Sequence, residues 1–117
     1  MKQIINGICP SKSNCYRVNP HTKGLFKTKA LTEYEKSFYL QCNHYRNQNI
    51  EGLFELHVDV YYPNQRADLD NAMKIILDSL QACKAIPNDN KCVKIVAQKF
   101  LDKDKPRIEF TINQVNQ

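Results

Sequence analysis

The chain has 117 residues, 42% of them hydrophobic, and seventeen lysines and arginines against twelve acids leave a formal net charge of +5. That length suits one domain with a single core, so residues 1–117 are expected to fold as one unit. No apolar run approaches a membrane span and Asn6-Gly7 breaks the Ile4-Ile5 pair, so the expectation is a cytoplasmic protein with neither signal segment nor membrane partner. The five cysteines, at positions 9, 15, 42, 83 and 92, include no C-x-x-C and no histidine pair at ligand spacing. Such a set argues against zinc and for a reducing compartment.

In chain order, Lys2 to Cys9 reads as a first strand. The first thirty-two residues carry Lys2, Lys12, Arg17, Lys23, Lys27 and Lys29 and no acid. With Tyr16, His21 and Phe26 interleaved, and Pro20 and Gly24 as breakers, residues 10–29 are expected to form a long basic loop. Long loops in compact domains are usually functional or disordered. A solubilising role is the plain alternative to a clamp on nucleic-acid phosphates, whose binding would weaken with salt. Thr32 and Glu35 have capping-box spacing, and Leu31, Tyr34, Phe38, Cys42 and Tyr45 share one helical face. This predicts a helix running to about Arg46. Its aromatic stripe reads as core rather than as a base-stacking platform.

The clearest strand follows. Phe54, Leu56, Val58, Val60 and Tyr62 alternate with Glu55, His57, Asp59 and Tyr61, as in a sheet with one covered face. It leads into Pro63-Asn64-Gln65-Arg66-Ala67-Asp68-Leu69-Asp70-Asn71-Ala72-Met73-Lys74. Residues two apart on a helix point away from each other, so Asp68 is expected before the helix, as N-cap or last extended residue. Leu69, Ala72, Met73, Ile76, Leu77, Leu80 and Cys83 then form the apolar arc, with Asp70 and Lys74 at its edge. Ile75, with Ser79 and Ala82 near it, is expected on the opposite side. Such a face would suit an isologous dimer. The turn former Pro87 and its flanking asparagines can return Asp89 toward the other acids only if the chain reverses.

Converging carboxylates need a cation, and hard oxygen ligands suit Mg²⁺ or Mn²⁺. The chemistry such a site usually performs is phosphoryl transfer or phosphodiester hydrolysis, with a lysine assisting electrostatically. The structural alternative is a helix cap plus an ordinary ion pair between Asp70 and Lys74. Glu55 or Asp59 on the strand's polar face would be a further ligand or simply solvated.

Arg66-x-Asp68-x-Asp70-Asn71, Lys74, the Ile-Ile-Leu-Asp-Ser-Leu helix and Asn88-Asp89 resemble the RusA family of Holliday-junction resolvases. Pro10-Ser11-Lys12-Ser13-Asn14-Cys15-Tyr16-Arg17 is similar to that family's proline-serine-asparagine loop. Many members have two acids where this chain has Asn88-Asp89. The resemblance implies that Asp68, Asp70 and Asp89 bind the metal, that Lys74 is catalytic, and that the protein acts as a homodimer on branched DNA.

Beyond Asp89, Cys92 to Leu101 and Arg107 to Ile112 read as two strands paired as a hairpin across Asp102-Lys103-Asp104-Lys105-Pro106. The sum is an α+β domain with two helices packed on a mixed or antiparallel sheet of about four strands. The function expected is a Mg²⁺-dependent endonuclease resolving four-way junctions by paired nicks, with no small-molecule cofactor. Arg66, Lys12, Arg17, Lys23 and Lys27 would contact the DNA backbone. A non-catalytic junction-binding protein, and a metal-dependent phosphatase or phosphotransferase, are the alternatives.

Overall fold

A computed structural model describes residues 1–10 and 15–115. The described elements are β1 (Gln3–Asn6), β2 (Tyr16–Val18), β3 (Leu25–Lys27), α1 (Lys29–Gln41), β4 (Phe54–Tyr62), α2 (Leu69–Ala82), a 3-10 turn at Asp89–Lys91, β5 (Cys92–Leu101) and β6 (Arg107–Gln114). The architecture is α+β, as expected. A mixed sheet has the order β1-β6-β4-β5, and β2 and β3 form a separate ribbon. No helix among the described residues is long and apolar enough to cross a membrane.

β4 is the axis of the sheet, and its period-2 pattern fixes which face is covered. Phe54, Leu56, Val58, Val60 and Tyr62 are each at most 2% exposed, whereas Glu55, His57, Asp59 and Tyr61 between them are half-buried on the open face. Glu55 is occupied there by His57, at 3.2 Å. Leu31, Tyr34 and Phe38 of α1 cover the sheet together with Cys42 and Tyr45. Phe38 and Tyr45 both stack on Phe110 of β6, with ring centroids 5.8 and 5.6 Å away. The aromatic stripe is therefore core. Four of the five free cysteines are buried among these side chains.

α2 buries Ala72, Ile76, Leu80 and Cys83 of the arc its pattern suggested, and adds Ile75 and Ser79 from the side expected to face outward. Leu69, Met73 and Leu77 are only half-buried. Ile75 and Ser79 are fully enclosed, so the outward dimer face expected on them does not exist. The apolar residues of α2 span more than half a turn. Which part of that arc is central is decided by the seat of the helix on the sheet, and periodicity alone does not carry that information.

Three other expectations change. β5 and β6 do not pair as a hairpin: β5 runs parallel to β4, β6 antiparallel to β4 on its other side, and the 102–106 connection passes over the end of β4, where the Asp102 N–H donates to the Tyr62 carbonyl at 2.8 Å. A parallel strand needs a crossover, and α2 supplies it. The basic stretch contains an antiparallel ribbon, Tyr16 facing Lys27 and Val18 facing Leu25. Its turn is closed by Asn19, whose side-chain oxygen accepts the His21 and Thr22 N–H groups. α1 begins earlier than Thr32 and stops short of Arg46: Thr28 is its N-cap, accepting the Leu31 N–H, while Glu35 holds Lys27 rather than closing a capping box.

Candidate active site

The turn after β4 is held from two sides. Within it the Asn64 side-chain oxygen accepts the Arg66 N–H at 2.9 Å. From β5, the Lys99 ammonium donates to the Ala67 carbonyl at 2.8 Å and the Gln65 carbonyl at 3.4 Å. This fixes the peptide that carries Asp68. Asp68 takes the N-cap position of α2 with an extended backbone, φ −88° and ψ 137°, but its carboxylate bonds none of the helix amides. The side chain is exposed and not spent on capping. Burial, the neighbouring Cys9 thiol and the Asp68 charge together raise the pKa of the Tyr62 hydroxyl. Asp70 is exposed in the first turn of the same helix, where its charge is favoured by the helix dipole.

Lys74 lies on the Asp70 stripe of α2 but is engaged one turn further on. Its ammonium donates to Asp78 Oδ1 at 3.0 Å, and the other oxygen of that carboxylate accepts the Tyr16 hydroxyl. Asp78 is sheltered, with a side chain 13% exposed, while Lys74 is 48% exposed. The carboxylate thus ties the lysine to the start of the β2–β3 ribbon.

Asp89 sits elsewhere. It opens the 3-10 turn leading into β5, and its N–H donates to Gln81 Oε1 at 2.6 Å. Gln81 is in the last turn of α2 and Asp70 in the first. At 1.5 Å per residue the two are about 16 Å apart along the helix axis. The sheet register agrees: Cys92, just after Asp89, faces Phe54 at one end of β4, and Leu101 faces Tyr62 at the other. The chain does reverse after α2, but a parallel crossover returns it to the far end. Among the described residues no three of His, Cys, Asp and Glu are gathered so as to hold a metal ion.

The family model for endodeoxyribonuclease RusA matches residues 9–113. The chain belongs to the RusA family. It is therefore an endodeoxyribonuclease, which sets aside the phosphatase and the non-catalytic alternatives. No curated protein matches the chain.

In this RusA-family chain the basic residues expected at DNA are not equivalent. Arg17 and Lys23 are exposed on the ribbon, and Arg66 is exposed in the acidic turn. Lys27 is already paired with both oxygens of Glu35, at 2.9 and 3.0 Å. Lys12 lies outside the described residues. Sequence reasoning missed Asp78, Tyr16 and Lys99 as site residues. Asp78 carried a usable signal, lying four residues after Lys74 on one helical stripe. Lys99 carried none, since its partners are main-chain carbonyls more than thirty residues away.

Proposed function

We propose that this RusA-family enzyme resolves four-way DNA junctions by paired nicks, as a homodimer in the cytoplasm that depends on Mg²⁺ or Mn²⁺. The observation that carries the reading is the family match over residues 9–113 together with an Asp68 carboxylate not spent on capping, two residues from Asp70. Exposed hard oxygens at a strand-to-helix junction fit a hard divalent cation. Asp68 and Asp70 would hold it, and Asp89 is the third ligand the reading requires. When bound, the cation supplies charge neutralisation at the scissile phosphate and activation of water.

The residues of the chain do the rest. Lys99 holds the backbone of the turn that carries Asp68, through the Ala67 and Gln65 carbonyls. Lys74, one turn from Asp70 on the same stripe and held by Asp78, would stabilise charge growing on a phosphate oxygen. Arg17, Lys23 and Arg66 grip backbone phosphates, and this gives affinity without sequence readout. Lys27, neutralised by Glu35, contributes less.

The test is Mg²⁺-dependent cleavage of a synthetic four-way junction and of linear duplex of the same sequence, with Asp70→Asn alongside. Paired nicks in the junction only, lost by at least a hundredfold in the variant while junction binding persists, is the expected outcome. Equal cutting of duplex would reject the junction reading. Unimpaired cutting by Asp70→Asn would reject the metal site.

A further inference from the structure

The β2–β3 ribbon has one side anchored and one side free. In an antiparallel pair, residues opposite each other share a side and successive residues alternate. Tyr16 therefore shares a side with Lys27, Val18 and Leu25, while Arg17 and Phe26 share the other. The first side is turned to the helices: the Tyr16 hydroxyl donates to Asp78 of α2, and the Lys27 ammonium to Glu35 of α1. Arg17 and Phe26 are thus directed away from the body of the molecule, a cation next to an aromatic ring.

The helices cover the ribbon only at its root. Val18 and Leu25, one step nearer the turn on the helix-facing side, are 58% and 73% exposed, and Phe26 is 49% exposed. The tip is ordered by its own bonds. The Asn19 N–H donates to the Gly24 carbonyl and the Lys23 N–H to the Asn19 carbonyl, both at 2.8 Å. The Asn19 side chain accepts two further amides, from His21 and Thr22. Three apolar side chains clustered on a projecting, ordered tip mark an interaction site.

Charge selects the occupant. Residues 1–32 contain no acid, so the ribbon sits in a field of one sign that suits an acidic polymer, and the chain is an endodeoxyribonuclease. The ribbon also stands on the side of the candidate site. Tyr16 meets α2 at Asp78, on the stripe that carries Asp70 and Lys74. Bases in a continuous duplex are stacked on both faces, and separating them costs free energy before a side chain can enter. At the strand-exchange point of a four-way junction that stacking is already interrupted, so a ring can take up a bared base face without the full cost.

We propose that the ribbon reads the branch point: Phe26 stacks on a base bared where the strands exchange, Arg17 grips an adjoining phosphate, and Val18 and Leu25 fill the opposite side of the gap. This rests on the junction reading above and assigns the choice between junction and duplex to one element. The hydrogen bonds from Tyr16 to Asp78 and from Lys74 to Asp78 join the root of the ribbon to the lysine of the site. They fix the distance between the branch point and the phosphate to be cut.

The experiment is equilibrium binding of the full chain to a synthetic four-way junction and to linear duplex of the same sequence, in a chelator so that neither is cut. Phe26→Ala should weaken junction binding about tenfold and duplex binding less than about twofold. Phe26→Trp should keep the junction affinity and Phe26→Leu should lose it, which separates stacking from apolar contact. Arg17→Ala should weaken both substrates alike and reduce the salt dependence of each by about one counterion. Wild type should photo-crosslink through Phe26 to 5-iodouracil placed at the exchange point, and not to the same base placed within an arm. Equal losses on junction and duplex, a Phe26→Leu chain with full junction affinity, or no crosslink at the exchange point would overturn the proposal and leave the junction reading standing. A wild type that binds junction and duplex alike would instead reject the junction reading, and the branch-point reader with it. A wild-type oligomer that Phe26→Ala converts to monomers in sedimentation without DNA would assign the ring to a contact between copies, which overturns the proposal as well.

Discussion

Asp78 shows how much of the site's behaviour depends on a residue that is neither ligand nor surface charge. Its two oxygens serve Lys74 and Tyr16, from different elements. Lys74 has a second carboxylate, Asp70, one turn in the other direction, and an ion pair there would compete with the metal for that oxygen. Asp78 keeps the ammonium on the far side. Asp78→Asn retains the shape and an acceptor but loses the charge. Single-turnover cleavage should slow about tenfold, with junction affinity changed less than about twofold. Adding Asp78→Asn to Lys74→Ala should have no further effect on the rate, because the carboxylate acts through the lysine. Additive losses in that double variant would mean that Asp78 acts on the fold instead.

At the level of elements, α2 combines the core and the site. Its inner stripe, Ala72, Ile75, Ile76, Ser79 and Leu80, seats it on the sheet, and its outer stripe carries Asp70, Lys74 and Asp78. The seat decides where the outer stripe points. Ile75→Ala should cost about 2–5 kcal/mol, as expected for a fully enclosed branched side chain whose removal leaves a cavity. Leu40→Ala on α1, where the side chain is 66% exposed, should stay within about 0.5 kcal/mol. Chemical denaturation of both variants checks the contrast, and a neutral Ile75→Ala would return that residue to the surface.

For the molecule as a whole, the order β1-β6-β4-β5 makes the short 102–106 connection cross the end of β4. Asp102 organises that crossing: it accepts the Lys105 and Asp104 N–H groups and pairs with Arg107 at 2.9 Å, whose guanidinium lies over the Tyr61 ring. The Lys105 N–H, then Arg107, hold the Asp102 carboxyl below its ordinary value of 3.8. A depressed folded pKa stabilises the native state above the unfolded value, and the contribution is lost as pH falls through the folded value. The native protein should therefore lose stability below about pH 4, and Asp102→Asn should be less stable at neutrality with a shallower acid limb. Melting curves between neutrality and acid pH measure this. An unchanged acid limb would show that other carboxylates dominate.

The sequence by itself determined the local facts: β4 residue by residue, the aromatic core face of α1, the existence of α2, Asp68 held outside the helix, and the family motif. Each is set by neighbours within a few positions, through side-chain alternation, helical spacing or N-cap stereochemistry. Only the tertiary structure decided which arc of α2 is buried, which carboxylate holds Lys74, that Lys99 supports the acidic turn, and that β5 joins β4 instead of β6. Those outcomes depend on strand pairing across long stretches of chain. Each pairing settles the direction in which a segment runs, and no local pattern records that direction. The position of Asp89 follows from the same choice: a hairpin and a parallel crossover place that turn at opposite ends of the sheet.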